Sequence, residues 1–304
     1  MESGAEIMLD FSPYFRAYSD GRVERFFGTD VVPPGTDHDT GVSSKDVQIC
    51  TETGVSARVF VPTTVSPGEK LPLLVYFHGG GFVVGSPFCP TYHNFVASLV
   101  KEAKIVVISI DYRLAPEYPV PKAYEDSWAG LKWAVSHADG SGPEPVINEH
   151  VDWARVFLSG DSAGGNIVHN MLVQAGEESL GHKVKLLGAC LVHPDFAKRE
   201  GGDPSKMWRF VCPTTSGSDD LRINPSSDPR LARLGCGKVL ICLAEMDNLR
   251  DRGLFYYETL VKSGWDGEVE IFETLGEEHV FHLFNPNCEE ALALLKRLAS
   301  FINQ

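Results

Sequence analysis

The sequence predicts a single α/β domain built on a mostly parallel sheet with helices on both faces. Three observations carry that expectation. Apolar runs of strand length alternate with helix-period stretches along most of the chain, the pattern left by repeated strand–helix crossovers. The 304 residues, 43% hydrophobic and 10% aromatic, suffice for one large core. No internal repeat, low-complexity linker or change of composition divides residues 1–304 into further domains.

Taken in order, strands are expected near 72–77, 105–111, 155–160, 186–192, 238–243 and 268–272, and helices near 92–103, 122–137, 163–176, 250–263 and 288–302. Lys45 to Pro62 alternates like an antiparallel hairpin arm and should supply the opening edge strands. Two segments, 1–40 and about 193–222, are candidate lid elements. In the first, Leu9, Phe11, Tyr14, Phe15 and Tyr18 recur about every three to four residues. That spacing suits an apolar face laid over a pocket, or an amphipathic helix packed on the main body. The second runs from His193-Pro194-Asp195-Phe196 to Met207-Trp208-Arg209-Phe210.

Chemistry enters at Gly160-Asp161-Ser162-Ala163-Gly164. The alternating run Ala154 to Ser159 precedes it and a helical period follows from Gly165, so the serine sits at a strand-to-helix turn. Such a turn strains the serine backbone and lifts its Oγ above the sheet, with small neighbours avoiding clashes. A second element is the strand Leu73 to Phe77 running into His78-Gly79-Gly80-Gly81-Phe82. Bare glycine backbone lets N–H groups approach a ligand oxygen, so Gly80 and Gly81, with the Ala163 N–H, are the expected oxyanion hole. His78 lies on the same loop, where holding the loop by hydrogen bonds is its expected role.

A serine nucleophile of this kind needs a histidine base and an acid, in the chain order nucleophile, acid, histidine. His279 follows the strand-like Val269 to Phe272 on a loop, whereas His282 lies inside an apolar run and reads as a satisfied, half-buried histidine. The buried run Val239 to Ala244 leads into Glu245-Met246-Asp247, placing Asp247 at the carboxyl end of a strand. Glu245 and Asp251 are its rivals; Asp251, between Arg250 and Arg252, reads as an ion pair one turn into a helix.

These motifs, with Tyr18 to Arg25, Gly41 to Asp46, Asp111-Tyr112-Arg113-Leu114-Ala115-Pro116-Glu117, Ile223-Asn224-Pro225, Asp247 to Arg252 and Glu278 to Phe284, run from one end of the chain to the other. In them the chain resembles the plant carboxylesterases of the hormone-sensitive-lipase-like branch of the α/β-hydrolases, and within it proteins of the 2-hydroxyisoflavanone dehydratase kind. The resemblance implies an α/β-hydrolase fold with Ser162, Asp247 and His279 as its triad. It implies a serine carboxylesterase acting on short-chain, aromatic or specialised-metabolite esters through an acyl-enzyme, with no cofactor and no metal. The alternative is a lyase that eliminates water or an acyloxy group with the same oxyanion hole and histidine base. Cyclase-like relatives have lost triad members, and the gibberellin-binding receptor branch replaces the histidine by an apolar residue; this chain keeps all three. Family members often carry a longer insertion where this chain has only Ala197 to Lys206, which implies a more open substrate site.

Charge and composition narrow the partners. A net charge of −14 without a basic run argues against nucleic acid and anionic membrane, and suits a neutral or cationic small substrate. No basic-plus-apolar leader and no membrane-length span is legible, which points to the cytoplasm; a monomer or homodimer is expected. Seven cysteines without paired close spacing read as reduced thiols. Asp37, His38 and Asp39 stand together in a Pro/Gly-rich loop and read as loop polarity rather than a metal site. Phe82, Phe196, Trp208 and Phe281 are candidate pocket aromatics that core packing would equally explain.

Overall fold

A computed structural model describes residues 5–198 and 205–304. The chain opens with strands β1 (Ile7–Phe11), β2 (Phe15–Tyr18), β3 (Val23–Arg25), β4 (Thr36–Asp37), β5 (Val42–Gln48) and β6 (Ser56–Pro62). It continues through β7 (Leu71–Phe77), α1 (Pro90–Ala103), β8 (Val106–Asp111), α2 (Lys122–Val135), α3 (Pro145–His150), β9 (Val151–Asp161), α4 (Ala163–Glu177) and β10 (Leu186–Val192). It closes with α5 (Lys206–Val211), β11 (Lys238–Ala244), α6 (Arg250–Lys262), β12 (Glu268–Thr274), α7 (Phe281–Phe284) and α8 (Glu289–Ile302). The strands and helices expected from periodicity all form. The largest difference is β9, which starts at Val151 because Val151 and Asp152 pair with Leu71 and Pro72 ahead of a register shift.

Nine strands make one sheet in the order β12-β11-β10-β9-β7-β8-β6-β5-β4. Strands β7 to β12 run parallel, and β6, β5 and β4 extend the sheet antiparallel beyond β8. Every residue of β7 is buried, as a parallel strand covered on both faces requires. Its side chains alternate between two cores. Leu73, Val75 and Phe77 join Leu131, Ile167, Met171 and Tyr256 from α2, α4 and α6. Leu74 and Tyr76 join Phe95 and Val96 of α1 and Leu294 and Leu298 of α8 on the other face.

The N-terminal segment is not a helix. Its apolar residues form a three-stranded antiparallel sheet, β1-β2-β3. Phe15 and Ala17 are the inward-facing pair, two residues apart as a strand demands. Pro13 sits in the turn between β1 and β2, where a helix would have lost a backbone hydrogen bond. The sheet is tied down by Phe15 stacked on Phe210 of α5, with ring centres 6.1 Å apart, and by Arg25. The Arg25 guanidinium donates to the Val83 carbonyl at 2.7 Å and the Ala115 carbonyl at 3.0 Å, and pairs with Glu117. Of the second candidate lid piece, residues 199–204 lie outside the described residues; past them, the Ser205 Oγ caps the short helix α5 by accepting the Trp208 N–H.

The strand order positions the site. From β7 the chain goes to β8 on one side and then crosses to β9 on the other. Loops leaving the carboxyl ends of β7 and β9 therefore diverge and leave a crevice between them. The glycine loop after Phe77 and the turn at Ser162 occupy its two walls.

Candidate active site

Ser162 stands between the end of β9 and the first residue of α4 with φ 52° and ψ −117°. That conformation costs a non-glycine residue on the order of 1–3 kcal/mol and persists only where the surroundings enforce it. Here the Ser162 N–H donates to the Val192 carbonyl at 2.8 Å, and its carbonyl accepts from the Asp195 N–H at 3.1 Å. Gly164 must be glycine, because a side chain there would drive into the Phe77 carbonyl.

The structure brings the distant histidine and carboxylate to this serine. His279, in the turn between β12 and α7, has its Nε2 3.0 Å from Ser162 Oγ and its Nδ1 2.7 Å from an Asp247 oxygen. A carboxylate only accepts, so Nδ1 carries the proton and Nε2 is left to accept from the serine hydroxyl. The Asp247 side chain is buried, and its other oxygen accepts the Leu249 N–H at 2.7 Å. Burial alone would raise its pKa, yet the His279 hydrogen bond and charge, with the Leu249 N–H, hold it below the usual carboxylate value. The two rivals point elsewhere. Glu245 accepts the Gly276 N–H, and Asp251 is an exposed partner of Arg250.

On the opposite wall, Gly80 and Gly81 have φ of 98° and 61°, and Phe82 follows at 64°. The Gly80 carbonyl accepts from the Val83 and Val84 N–H groups, both at 3.0 Å, while no backbone bond among the described residues uses the Gly80 or Gly81 N–H. Ala163 opens α4, so its N–H has no helical carbonyl to bond. The amides of Gly80, Gly81 and Ala163 thus have no backbone acceptor among the described residues. Met207 of α5 reaches over Gly81 with its Cε.

His78 is wholly buried, stacked on Tyr112 with ring centres 4.3 Å apart, and bonded through Nδ1 to the Gly79 carbonyl at 2.8 Å. Burial lowers its pKa to about 4, so it is a neutral fastener of the loop. The residue that sequence reasoning passed over is Asp161, next to the serine. Its buried carboxylate accepts from Tyr76 OH at 2.7 Å, Tyr92 OH at 2.9 Å and the Gly79 N–H at 3.1 Å. Desolvation raises its pKa against the pull of those donors. The only signal in the sequence was an acidic residue ending an otherwise apolar strand, and its tyrosine partners lie far away in the chain. His282 also differs from expectation. It is buried, packed edge-on to Phe95, and neither ring nitrogen has a partner among the described residues, so it is not a satisfied histidine. Phe82, Phe196, Trp208 and Phe281 are all buried as core.

Two clusters among the described residues have the composition of a metal site. One is the half-buried Glu277, Cys288 and Glu290; in the other a ring nitrogen of His193, one of His279 and an Asp247 oxygen lie within 4.8 Å of one another. His279 Nδ1 is already bonded to Asp247, and His193 Nδ1 accepts the Val280 N–H at 2.9 Å. The remaining His193 nitrogen then bears the proton and offers no lone pair to an ion. No helix among the described residues is long and apolar enough to cross a membrane.

Comparison with known proteins gives the arrangement its family. A family model described as the alpha/beta hydrolase fold matches residues 74–283. The chain is 45% identical to "Probable carboxylesterase 2" of Arabidopsis thaliana, over 98% of this chain and 97% of that one. It is 42% identical to the 2-hydroxyisoflavanone dehydratase of Glycine max, over 98% and 99% of the two chains. Among solved structures, an esterase of Pyrobaculum calidifontis superposes with a TM-score of 0.67 at 29% identity, covering 85% of this chain and 84% of the other. The family match thus covers the whole run from the strand before the glycine loop to the turn carrying His279, and the chain belongs to the α/β-hydrolase fold family.

Proposed function

We propose that this protein is a serine carboxylesterase in which Ser162 is the nucleophile, His279 the general base and Asp247 the orienting acid. The observation that carries the reading is the unbroken relay from Ser162 Oγ to His279 Nε2 and from His279 Nδ1 to Asp247, at 3.0 Å and 2.7 Å. Ser162 Oγ attacks the ester carbonyl carbon while its proton passes to His279 Nε2. Asp247 stabilises the imidazolium so formed. The N–H groups of Gly80, Gly81 and Ala163 hold the carbonyl oxygen as it becomes an oxyanion. Collapse of the tetrahedral intermediate expels the alcohol, which takes the proton from His279 and leaves an acyl-enzyme. Water activated by the same histidine releases the acid.

Short-chain and aromatic esters of specialised metabolism are the proposed substrates. The relatives named as carboxylesterases support this, as does a tulip relative, 42% identical, named as a tuliposide A-converting enzyme. Seven free thiols suit a reducing compartment, and we place the reaction in the cytoplasm. Ser162→Ala should lower turnover of a short p-nitrophenyl ester by on the order of 10⁴-fold or more while substrate still binds. Undiminished turnover would remove Ser162 from the reaction.

A second reading is favoured by the likeness to the Glycine max dehydratase. In it the same amide donors stabilise an enolate oxygen while His279 takes the proton beside a ketone and a hydroxyl or acyloxy group departs. Offering a 2-hydroxyisoflavanone to wild type and Ser162→Ala separates the two. Dehydration that outruns ester cleavage and survives the alanine substitution makes the protein a lyase.

A further inference from the structure

The turn after β10 carries a histidine in a costly position that the proposed reaction does not use. His193 has φ 46°, in the left-handed region. A non-glycine residue pays for that conformation only where its surroundings fix it. The His193 N–H donates to the Cys242 carbonyl of β11 at 2.9 Å. On either side of it, the Val192 carbonyl accepts the Ser162 N–H, and the Asp195 N–H donates back to the Ser162 carbonyl. The backbone of this one turn is thus bolted both to the nucleophile and to the strand that leads to Asp247.

Its side chain completes the connection. His193 Nδ1 lies 2.9 Å from the backbone nitrogen of Val280, the residue after His279 and itself left-handed at φ 48°. A backbone N–H can only donate, so Nδ1 is the acceptor and the proton of the neutral ring sits on Nε2. A second proton would put one N–H against another. Burial, helped by the neighbouring His282 and His279 and opposed by the Asp247 carboxylate, keeps the His193 pKa well below the usual value. The ring centres of His193 and His279 are 5.9 Å apart.

We infer that His193 is a positioning residue of the reaction proposed above: by accepting the Val280 N–H it holds the turn that carries His279 in register with Ser162 and Asp247. The inference rests on that reading of the site. Without the latch, the left-handed Val280 loses the partner of its N–H, and the bonds left between the turn and the end of β11, Met246 N–H to the Glu277 carbonyl and Gly276 N–H to Glu245, lie ahead of His279 and leave its own position to the contact with Asp247. A displacement of about 1 Å in a reacting group can cost 100-fold in rate.

Three variants test it. Asn places its amide oxygen where Nδ1 stands and tolerates a left-handed backbone, Gln carries its polar atoms one bond further out, and Phe fills the space with no acceptor. Expected for His193→Phe and His193→Gln is a kcat on short p-nitrophenyl esters lowered roughly 10- to 100-fold with KM changed less than about twofold, and a matching loss in the rate of Ser162 labelling by a fluorophosphonate. His193→Asn should keep kcat within about threefold of wild type. Active-site titration and circular dichroism correct each rate for folded protein. Unchanged kcat in His193→Phe, or equal kcat in the Asn and Gln variants, overturns the inference. Should the phenylalanine variant not fold, the Asn and Gln pair decides alone. Wild type with no Ser162-dependent turnover would instead fail the proposed function, a result separable from any of these.

Discussion

The two walls of the site are held in different ways. The glycine loop after β7 is fastened from beneath by side chains that see no solvent: Asp161 gathers two tyrosine hydroxyls and the Gly79 N–H, and the neutral His78 is clamped against Tyr112. The turn bearing His279 is partly open to solvent and is held at its far end by hydrogen bonds from His279 to Asp247 and from Val280 to His193, and nearer β12 by the Met246 N–H on the Glu277 carbonyl and the Gly276 N–H on Glu245. In the proposed reaction the loop amides must be rigid, because charge develops on the ligand faster than a loop could reorganise. In the same proposal the base has to pass a proton between Ser162, leaving group and water, and a partly exposed turn leaves room for them. Rigidity on one wall and access on the other follow from the burial of the groups that hold them.

The largest effect should come from cutting the buried tether. Asp161→Ala leaves two buried tyrosine hydroxyls without their acceptor and the Gly79 N–H with Tyr92 OH alone, at a cost of about 3–5 kcal/mol. It should lower the thermal midpoint by many degrees and collapse activity with it. Asp161→Asn keeps an acceptor and should lose clearly less; equal losses would mean that the carboxylate packs rather than fastens.

Gly80→Ala probes the same wall from inside. The substitution meets the Val84 carbonyl at a φ of 98° and should push one donor off target. Loss of one oxyanion donor lowers kcat roughly 10²- to 10³-fold, or about 3–4 kcal/mol. A wild-type kcat would show that the loop's N–H groups do not hold the oxyanion.

Acid separates the walls more gently. His78, His169 and His282 are held neutral by burial, with pKa values lowered to about 4, about 4 and about 3. Each depressed value means that between its folded pKa and an unfolded value near 6.5 the unfolded chain binds more protons. Stability is therefore full above about pH 6.5 and falls as the pH drops toward 4, which thermal melts across that range would register. His282→Phe should flatten that decline. It removes a buried ring whose nitrogens have no partner among the described residues, and at neutral pH should shift stability by no more than about 1 kcal/mol. An unaltered acid slope would show that His282 is solvated in the folded state.

Much of the candidate site was legible because it depends on local backbone chemistry. A serine between glycines at a strand-to-helix turn, and a triple glycine after a buried strand, announce themselves through what their neighbours cannot be. Asp247 and His279 were legible because a buried strand ends just before each. Asp161 and His193 were not, because their partners lie tens of residues away and their chemistry comes only from burial. The N-terminal segment misled for a related reason: apolar residues three to four apart fit a helix, but Pro13 and an inward Phe15 and Ala17 decided for a strand pair.

The sequence by itself determined the alternation of strand and helix, the strained serine turn and the glycine loop, since periodicity and small residues constrain the backbone within a few residues of themselves. Only the tertiary structure decided the rest. The strand order set the glycine loop and the serine on facing walls, and the sheet edge carried His279 to within 3.0 Å of a serine 117 positions earlier. Burial made one ordinary aspartate a fastener and two ordinary histidines neutral clamps. Distances between residues remote in the chain, and the desolvation that sets their charge, belong to the packed state and leave no pattern in the order of residues.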